Sequence, residues 1–372
     1  MQFIASVAYF LMSSFLPLFF SSELNETLIN ATYWAGVFQL IGNTATALGA
    51  PFWGYMCDRI GVKKVLLFTI MGNTIGYTGM AISNSIPSVM FFRGLQGCFG
   101  GTSTIMFSLV ALVVPREKLK MALSYQITAM TMSQIAAPGI GGVIASILGF
   151  RFTFLVSAIL YLSITLIILL IRIPPPDRKQ TEGGRFSLSD LKTILPDAFS
   201  LILVYMTMNF ITPIVTWFLG STGIPYNQLL TFTAITTIIS GLAYAASTPL
   251  LTKVITDKTM HLLSIIAAAG IFATAFVKEP YQFIVLRIFI GAAQSGIPPN
   301  LLGGKSGRKG TSLGVLNSAR FMGGAIGPFM ATSILGDGSS QKVLIMFSSM
   351  AGISLIAALF IYLTHTKRIK AY

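Results

Sequence analysis

Long apolar stretches separated by short polar connections run along the whole chain. Twelve such stretches follow one another, each of about twenty residues, long enough for a helix to cross the hydrocarbon core of a bilayer. None of them alternates polar and apolar positions in the way of a membrane β-strand, so the pattern predicts helices. The predicted spans are residues 3–21, 34–56, 65–84, 88–114, 121–147, 152–173, 196–219, 227–252, 260–277, 280–302, 312–335 and 341–364.

The composition is typical of a membrane protein that crosses the bilayer many times. Hydrophobic residues make up 54% of the 372 and charged residues 10%, with a mean hydropathy of +0.77. The connections are too short to hold a soluble catalytic domain. Neither the 2 His nor the 2 Cys residues form a metal-binding or nucleophile arrangement. We therefore predict that the protein is not an enzyme and uses no cofactor and no metal.

The basic residues collect at one end of the predicted helices. Of 25 Lys and Arg residues, 19 fall in connections at the same end, called the basic end, and only Arg151, Lys278 and Lys342 fall at the opposite, far end. Short loops rich in Lys and Arg stay in the cytoplasm, so both termini are predicted to be cytoplasmic, in a plasma membrane. The formal charge of +14 is scattered over six segments rather than along one groove, which argues against nucleic acid as a partner.

The longest polar connection, residues 174–195, lies near the middle of the chain. Its three prolines stop a helix and its glycine pair is flexible, so it is predicted to be a linker on the membrane surface. The linker divides the chain into two halves of six spans, residues 1–173 and 196–372.

The two halves repeat one another. Landmark residues after the second span and within the fourth and fifth spans recur in the same order after the eighth span and within the tenth and eleventh, at nearly one spacing. The pairs are Asp58 with Asp257, Arg93 with Arg287, and Pro138 with Pro328, separated by 199, 194 and 190 residues. Transporters are commonly built from such duplicated bundles, with the substrate site between them.

Three motifs give the sequence a family resemblance. "GYMCDRIGVKK" at residues 54–64 resembles the loop signature between spans two and three of the major facilitator superfamily, and "RGLQG" at residues 93–97 resembles its span-four motif. "SQIAAPGIGG" at residues 133–142 resembles the glycine- and proline-rich stretch of span five in its drug:proton antiporters. The resemblance implies an all-α polytopic membrane fold of twelve transmembrane helices in two pseudo-symmetric six-helix bundles.

The resemblance also implies roles for the motif residues, each with a plainer alternative. The loop signature implies conformational gating, although a topology signal made of positive charges would look similar; its residues are Gly54, Asp58, Arg59, Gly61 and Lys63. Arg93 with Gln96 implies a proton relay, whereas the alternative for Arg93 is a structural cation bonded to backbone carbonyls.

A small-residue face in span five is repeated in span eleven. In the family this face seals the outer half of the two bundles, and the alternative is ordinary tight packing. Its residues are Pro138, Gly141, Gly142, Gly327 and Pro328. Spans 1, 4, 7 and 10 line the central cavity if the family arrangement holds, which makes Tyr9, Asn209, Trp217 and Gln294 substrate-binding candidates. Arg320 is a further candidate, because its charge lies deep within the eleventh span. The alternative for each is a packed or lipid-facing side chain.

No acidic residue lies in the middle of a predicted span, and this constrains the mechanism. All 11 of them are assigned to the ends of the spans or to connections, while Arg93, Arg287 and Arg320 lie within spans. This favours neutral, zwitterionic or anionic amphiphiles over lipophilic cations and leaves the proton carrier open, with Asp197 as the nearest candidate.

The predicted function is secondary active transport. No P-loop motif occurs, so an ion or substrate gradient must supply the energy. We predict a proton-coupled antiporter that exports amphipathic small molecules or drugs by alternating access. Its partners are the small-molecule substrate, protons and the lipid bilayer, and it works as a monomer. The alternatives are a proton-coupled symporter that takes up an organic anion or metabolite, and a transporter-like sensor that moves nothing.

Overall fold

The computed structural model describes residues 1–170, 188–255, 259–303 and 310–370, and every regular element in these ranges is an α-helix. Residues 174–187 of the predicted linker and the side chain of Asp58 lie outside the described part. The helices are α1 Gln2–Phe10, α2 Leu16–Glu23, α3 Leu28–Ile60, α4 Val62–Ile82, α5 Ile86–Cys98, α6 Thr102–Val113, α7 Arg116–Leu148, α8 Phe150–Leu170, α9 Leu188–Asn209, α10 Val215–Ser221, α11 Tyr226–Val254, α12 Met260–Thr274, α13 Pro280–Gln294, α14 Ile297–Gly303, α15 Gly310–Leu335 and α16 Ser340–Lys370.

Eight of the twelve predicted spans are single helices in the described ranges, and four are each divided into two. The divided spans are the first, fourth, seventh and tenth, with breaks at residues 11–15, 99–101, 210–214 and 295–296. The spans lie where they were predicted, and the breaks went unpredicted because an apolar run does not reveal an interruption within it. Since the breaks recur at equivalent places in the two halves, they belong to the repeated architecture.

Several helices are long and apolar enough to cross a membrane without help from a neighbour. Four meet this condition in the described part: Val62–Ile82, Phe150–Leu170, Tyr226–Leu251 and Ser340–Thr364. Shorter apolar helices occur at Met132–Leu148, Ile194–Asn209 and Met260–Thr274. The protein is therefore a multi-pass membrane protein whose divided spans depend on their neighbours to satisfy the backbone.

The hydrophobic core is divided between the two halves. The buried residues of the largest cluster all lie between Ala5 and Ile168. Two clusters of the second half lie between Ile194 and Ile361, and take in one buried residue, Leu18, from the first half. The most extensive contact between the halves joins α3 with α15, and another joins α7 with α11. The predicted fold of two six-helix bundles is confirmed.

Single glycines make the sharp turns between consecutive long helices. Gly61 separates α3 from α4 and has a φ of 89°, and Gly149 separates α7 from α8 with a φ of 90°. A residue with a Cβ is strained at such a φ, whereas glycine adopts it freely. The position of Gly61 in the loop signature therefore has a local structural reason.

Arg151 joins three helix ends at the far end of the first half. Its Nε donates to Glu23 Oε2 at the end of α2, at 2.9 Å. Its Nη1 donates to the carbonyl oxygens of Ala81 and Ser83 at the end of α4, at 3.0 and 2.8 Å. Because the last carbonyls of a helix have no partner within the helix, the guanidinium supplies one.

We expect Arg151→Ala to lower the free energy of unfolding by about 1–3 kcal/mol, since two carbonyls and one carboxylate lose their donor. Thermal unfolding of the purified protein in detergent measures the change. Lys342→Ala is the control, because the 3.5 Å pair that Lys342 forms with Asp337 is more exposed, and such pairs contribute about 0–1 kcal/mol. Equal losses in the two variants would contradict the assignment.

Candidate functional site

The break in the fourth span exposes backbone carbonyls that neighbouring helices satisfy. An unpaired carbonyl in the hydrocarbon region is costly, so a divided span needs donors from outside itself. Side chains of α3 and α4 supply them at three consecutive positions. The Gly97 carbonyl accepts from Thr46 Oγ1 at 3.2 Å, the Cys98 carbonyl from Trp53 Nε1 at 2.6 Å, and the Phe99 carbonyl from Asn73 Nδ2 at 2.8 Å.

Arg93 lies on α5 just before this break and is 2% exposed. Its Nε donates to the Phe38 carbonyl at 3.3 Å, its Nη1 donates to Gln96 Oε1, and its Nη2 donates to the Tyr9 hydroxyl at 3.2 Å. The guanidinium also lies over the rings of Phe38 and Tyr9, at 4.5 and 5.2 Å. It packs against Gly42, where a methyl group would overlap it. The site thus has room for one position of the guanidinium.

One arm of this network reaches the other half of the protein. The Tyr9 hydroxyl, which accepts from Arg93, donates to Asn43 Oδ1 at 2.7 Å. Asn43 Nδ2 in turn donates to the Gly324 carbonyl on α15 at 2.9 Å, in a buried bond. The charge of Arg93 in the first bundle is therefore linked through two side chains to the backbone of the second bundle.

The other arm reaches the break in the fourth span. Gln96, which is fully buried, donates from Nε2 to Asn73 Oδ1 at 2.6 Å. Asn73 Nδ2 then donates to the Phe99 carbonyl at 2.8 Å and lies 3.3 Å from Thr102 Oγ1. Thus the residues that hold Arg93 also hold the interruption of α5 and α6.

In both arms, the residue nearer to Arg93 donates each hydrogen bond and the residue farther from it accepts. Each arm ends on a backbone carbonyl, that of Gly324 or that of Phe99. Arginine stays charged in proteins, so Arg93 is a fixed positive charge and cannot itself release a proton. Neighbouring hydrogen bonds in such a chain polarise and strengthen one another in a low dielectric.

A second arginine cluster lies in the other half. Arg320 on α15 lies 5.0 Å from the ring centre of Tyr205 on α9, and its Nη1 donates to Asn317 Oδ1 at 3.2 Å. Asn317 Nδ2 donates to Thr104 Oγ1 on α6 at 3.0 Å. As with Arg93, an asparagine connects the arginine to the opposite half. The two clusters are thus similar in kind and reach across the interface in opposite directions.

The interface between α3 and α15 is closed towards the far end, at Gly36, and no described side chain covers α3 at Gly54 towards the basic end. A methyl group on Gly36 would overlap the side chain of Thr332, whereas no atom of the described part of the chain lies within 4 Å of one on Gly54. Gly36 and Gly54 are five helical turns apart, so they lie on the same stripe of α3. A bond from Thr216 Oγ1 to the Ser14 carbonyl, at 3.1 Å, adds to the contacts between the halves.

The small-residue face makes contacts both within and between the halves. Gly141 lies against the Leu11 backbone in the first half, and Gly327 lies against the Met206 backbone in the second. Gly142 lies near Ala234 of α11, across the interface. The remaining members of the face, Pro138 and Pro328, are buried inside α7 and α15.

The loop signature lies at the basic end, where α3 turns into α4. Arg59 is exposed and lies 4.9 Å from the ring centre of Tyr55, and Lys63 Nζ is 3.5 Å from the Leu169 carbonyl of α8. Gly61 makes the turn and Gly54 faces the open part of the interface. The gating role of these residues stays a prediction.

The substrate candidates lie in different places, except that Asn209 lies near Asn43 and Gly324, at the end of the arm that begins at Tyr9. Tyr9 belongs to the Arg93 network and Arg320 to the second cluster. Asn209 donates to the Tyr205 carbonyl at 2.9 Å, and Gln294, which is buried, donates to Thr207 Oγ1 at 3.2 Å. Trp217 packs against Gly338. In this conformation Gln294 and Trp217 are packed against protein groups rather than grouped around one space.

Sequence analysis missed the asparagines that connect these sites. Asn43, Asn73 and Asn317 lie inside long apolar helices, and each is at most 8% exposed. The candidates within the spans were sought by formal charge, and an amide carries none, although in lipid it also needs partners. A search for amides within the spans would have found all three.

Two helical bundles with broken central spans and buried charges between them define a secondary transporter of the membrane. A family model described as Major Facilitator Superfamily matches residues 1–200. The chain belongs to this superfamily.

Two relatives found by sequence are multidrug resistance proteins. The chain is 27% identical to the multidrug resistance protein MdtG of Escherichia fergusonii over 348 residues, which cover 89% of this chain and 85% of that protein. It is also 27% identical to MdtG of Salmonella arizonae over 374 residues, covering 96% of this chain and 92% of that one.

Solved structures resemble the fold over nearly its whole length. A D-xylose-proton symporter superposes with a TM-score of 0.79 at 14% identity, covering 97% of this chain and 94% of that one. The human organic anion transporter MFSD10 superposes with a TM-score of 0.69, also at 14% identity, covering 97% and 96%. At this identity the likeness concerns the fold alone.

Proposed function

We propose that the protein exports amphipathic small molecules or drugs by proton antiport, through alternating access of the two bundles. The observation that carries the proposal is the α3–α15 interface, which is closed at Gly36, whereas no described atom covers Gly54 on the same helix stripe. Rocking of one bundle against the other would reverse which part is closed. The names of the sequence relatives, multidrug resistance proteins, support an exporter of drug-like molecules.

The orientation follows from the charges. The basic end is cytoplasmic, in a plasma membrane, with both termini inside. The conformation described is therefore open to the cytoplasm and closed to the outside, and cargo enters from the cytoplasm or the inner leaflet. Each bundle has its own core, and the site lies between bundles of one chain, so the protein works as a monomer.

The coupling proton requires a group other than Arg93. Arg93 is the fixed charge that holds Tyr9 and Gln96 in place, and Asp197 is the proton carrier. Asp197 lies on α9 and is 2% exposed, and it is the one acidic side chain that is buried in the described part of the chain. A proton on this carboxyl would change the charge of the second bundle by one unit.

A second candidate function is proton-coupled uptake of an organic anion or metabolite. Arg93 and Arg320 favour it, because both are cations whose hydrogen-bond networks reach the opposite bundle. A sensor that binds a ligand without moving it is a third, of a different class. The direction of net accumulation separates the two transporters, and a measurable flux excludes the sensor.

The test is proton movement in proteoliposomes that contain the purified protein, challenged with cationic, neutral and anionic amphiphiles in turn. We expect proton movement opposite to that of the cargo. Asp58→Asn is the inactive control. Asp197→Asn is expected to bind cargo and to lose the proton movement, because the proposed proton carrier is gone.

The result that would overturn antiport is proton movement in the same direction as the cargo. Binding without any flux would move the assignment to a sensor. Unchanged proton movement in Asp197→Asn would remove the carrier role of Asp197 and leave antiport standing.

A further inference from the structure

Arg287 occupies the place in the second half that Arg93 occupies in the first. It lies on α13, between Phe283 one turn towards the far end and Gly291 one turn towards the basic end. Phe283 contacts the ring of Phe218, with 4.6 Å between the ring centres, and Gly291 lies against the Ser240 backbone of α11. The stripe of α13 that carries Arg287 therefore faces the interior of the second half, near α10 and α11.

Arg287 has no bonding partner in the described part of the chain. Its Nε is buried without a hydrogen bond, and neither an ion pair nor a cation–π contact reaches the guanidinium from the residues that the structure describes. Arg93, by contrast, donates from Nε, Nη1 and Nη2 to protein acceptors. The two equivalent arginines thus differ in whether the protein itself satisfies them.

The sequence explains the difference. Gln96, three residues after Arg93, accepts from it, and the residue three places after Arg287 is Ile290. Asn73 accepts a hydrogen bond from Gln96, and the equivalent residue in the second half, 194 places later, is Ala267. Ile290 and Ala267 are buried and offer no side-chain acceptor. The second half has kept the arginine and lost the amides around it.

A guanidinium in this position needs an acceptor from elsewhere. Arginine stays charged in proteins, and although Arg287 as a whole is half-buried, its Nε is buried without a partner, which is costly. Its planar fork of donors matches carboxylate, sulfonate and phosphonate oxygens, often through two parallel hydrogen bonds. Arg320, in the same half, also has a buried Nε without a hydrogen bond, so positive charge is in excess there.

We propose that Arg287 is a binding site for the anionic head group of an amphipathic cargo, a carboxylate or a group of like geometry. The aromatic pair of Phe218 and Phe283 lies one turn away, is at most 3% exposed and packs against Phe347, so the surroundings of Arg287 on this side are apolar. This inference rests on the proposed function, because it names the class of molecule that the transporter carries.

Equilibrium binding to the purified full chain in nanodiscs tests the site. Three fluorescent probes share a dansyl group and differ in charge: dansylglycine is anionic, dansylglycinamide is neutral, and a dansyl compound with a trimethylammonium group is cationic. We expect Arg287→Gln to weaken dansylglycine binding about tenfold to hundredfold, the effect of losing hydrogen bonds to a charged group. Binding of dansylglycinamide should change less than about twofold, because it makes no such bond. Lys278→Gln, an exposed cation near the far end of the same helix, is the control for surface charge.

A second measurement separates a ligand site from a structural role. An unpartnered charge does not stabilise the empty protein, so Arg287→Gln should leave the unfolding temperature unchanged or raise it. Arg287→Gln that lowers the unfolding temperature and weakens all three probes alike would overturn the proposal. Unchanged dansylglycine binding in Arg287→Gln, or an equal loss in Lys278→Gln, would also overturn it.

The binding result is independent of the proposed function. Charge-selective binding that depends on Arg287, found together with no proton-linked flux, would support the site and refute antiport. Antiport of a neutral cargo with no binding effect at Arg287 would support antiport and refute the site.

Discussion

Arg93→Lys is expected to lower cargo flux about tenfold to hundredfold while the protein still folds and inserts. The guanidinium donates to the Phe38 carbonyl, to Gln96 and to Tyr9 at once, over a spread that matches its planar fork. A lysine keeps the charge but is a single point that cannot meet acceptors on three sides. The lost bonds are those of a charged donor, each worth about 1.5–3 kcal/mol. Tyr9 then no longer holds Asn43 in place for the bond to the second bundle.

Flux of a labelled cargo in proteoliposomes measures the effect, with protein content and unfolding temperature determined in parallel. Gly42→Ala is a second route to the same result, because the added methyl overlaps the guanidinium without changing any charge. Gly94→Ala is the matched control. Gly94 follows Arg93 in the sequence, and a methyl group there would make only an ordinary contact, of 3.4 Å, with Ile41. Wild-type flux in Arg93→Lys, or equal losses in Gly42→Ala and Gly94→Ala, would remove the network from the mechanism.

Leucine substitutions at Gly36 and Gly54 are expected to shift the conformational equilibrium in opposite directions and to stop transport in both cases. The Cβ of a leucine at Gly54 meets no described atom in this conformation, and the side chain is expected to obstruct closure of the basic end. Leucine at Gly36 overlaps Thr332 and obstructs closure of the far end. A shift of about 1.4 kcal/mol in either direction changes the ratio of the two states tenfold. The same substitution on one helix stripe thus traps opposite states.

Distances between spin labels on the two bundles measure the shift. Ser22 with Ser339 reports the far end and Lys64 with Val254 the basic end, since all four are exposed. The native Cys57 and Cys98 are first replaced by serine. We expect Gly54→Leu to populate the short far-end distance and Gly36→Leu to deplete it. The same distance distribution in both variants would show that the α3–α15 stripe does not control access.

Sequence patterns were sufficient for the spans, the repeat and the fold, and they failed at the breaks. The apolar run through Phe99 and Gly100 is continuous, so hydropathy gives one span there. The interruption persists because Thr46, Trp53 and Asn73 cap its carbonyls. Those donors lie on other helices, 26 to 51 residues away in sequence. Local composition therefore cannot show that the break is stable.

Part of the candidate site could be predicted from the sequence. Arg93 was identified because a charge within a span is costly, and this argument needs no structure. Trp217 and Gln294 were chosen only because their spans line the cavity in the family, and a span does not reveal which way each side chain faces. The alternative interpretation of Arg93, a cation bonded to a backbone carbonyl, describes one of its contacts, that with Phe38. Its bonds to Tyr9 and Gln96 go beyond that interpretation.

The α3 helix also sets the relative widths of the two openings. It stays one helix from Leu28 to Ile60 although Pro51 lies within it. Asn43, which is bonded to the second bundle, lies on this stripe 7 residues after Gly36 and 11 residues before Gly54. At 1.5 Å per residue, the two stretches of helix measure about 10 and 16 Å. If α3 pivots at Asn43 as a rigid rod, each ångström of separation at the far end corresponds to about 1.6 Å at the basic end. The narrower of the two gates is then the far one, so the exit, rather than the entrance, limits the width of the cargo.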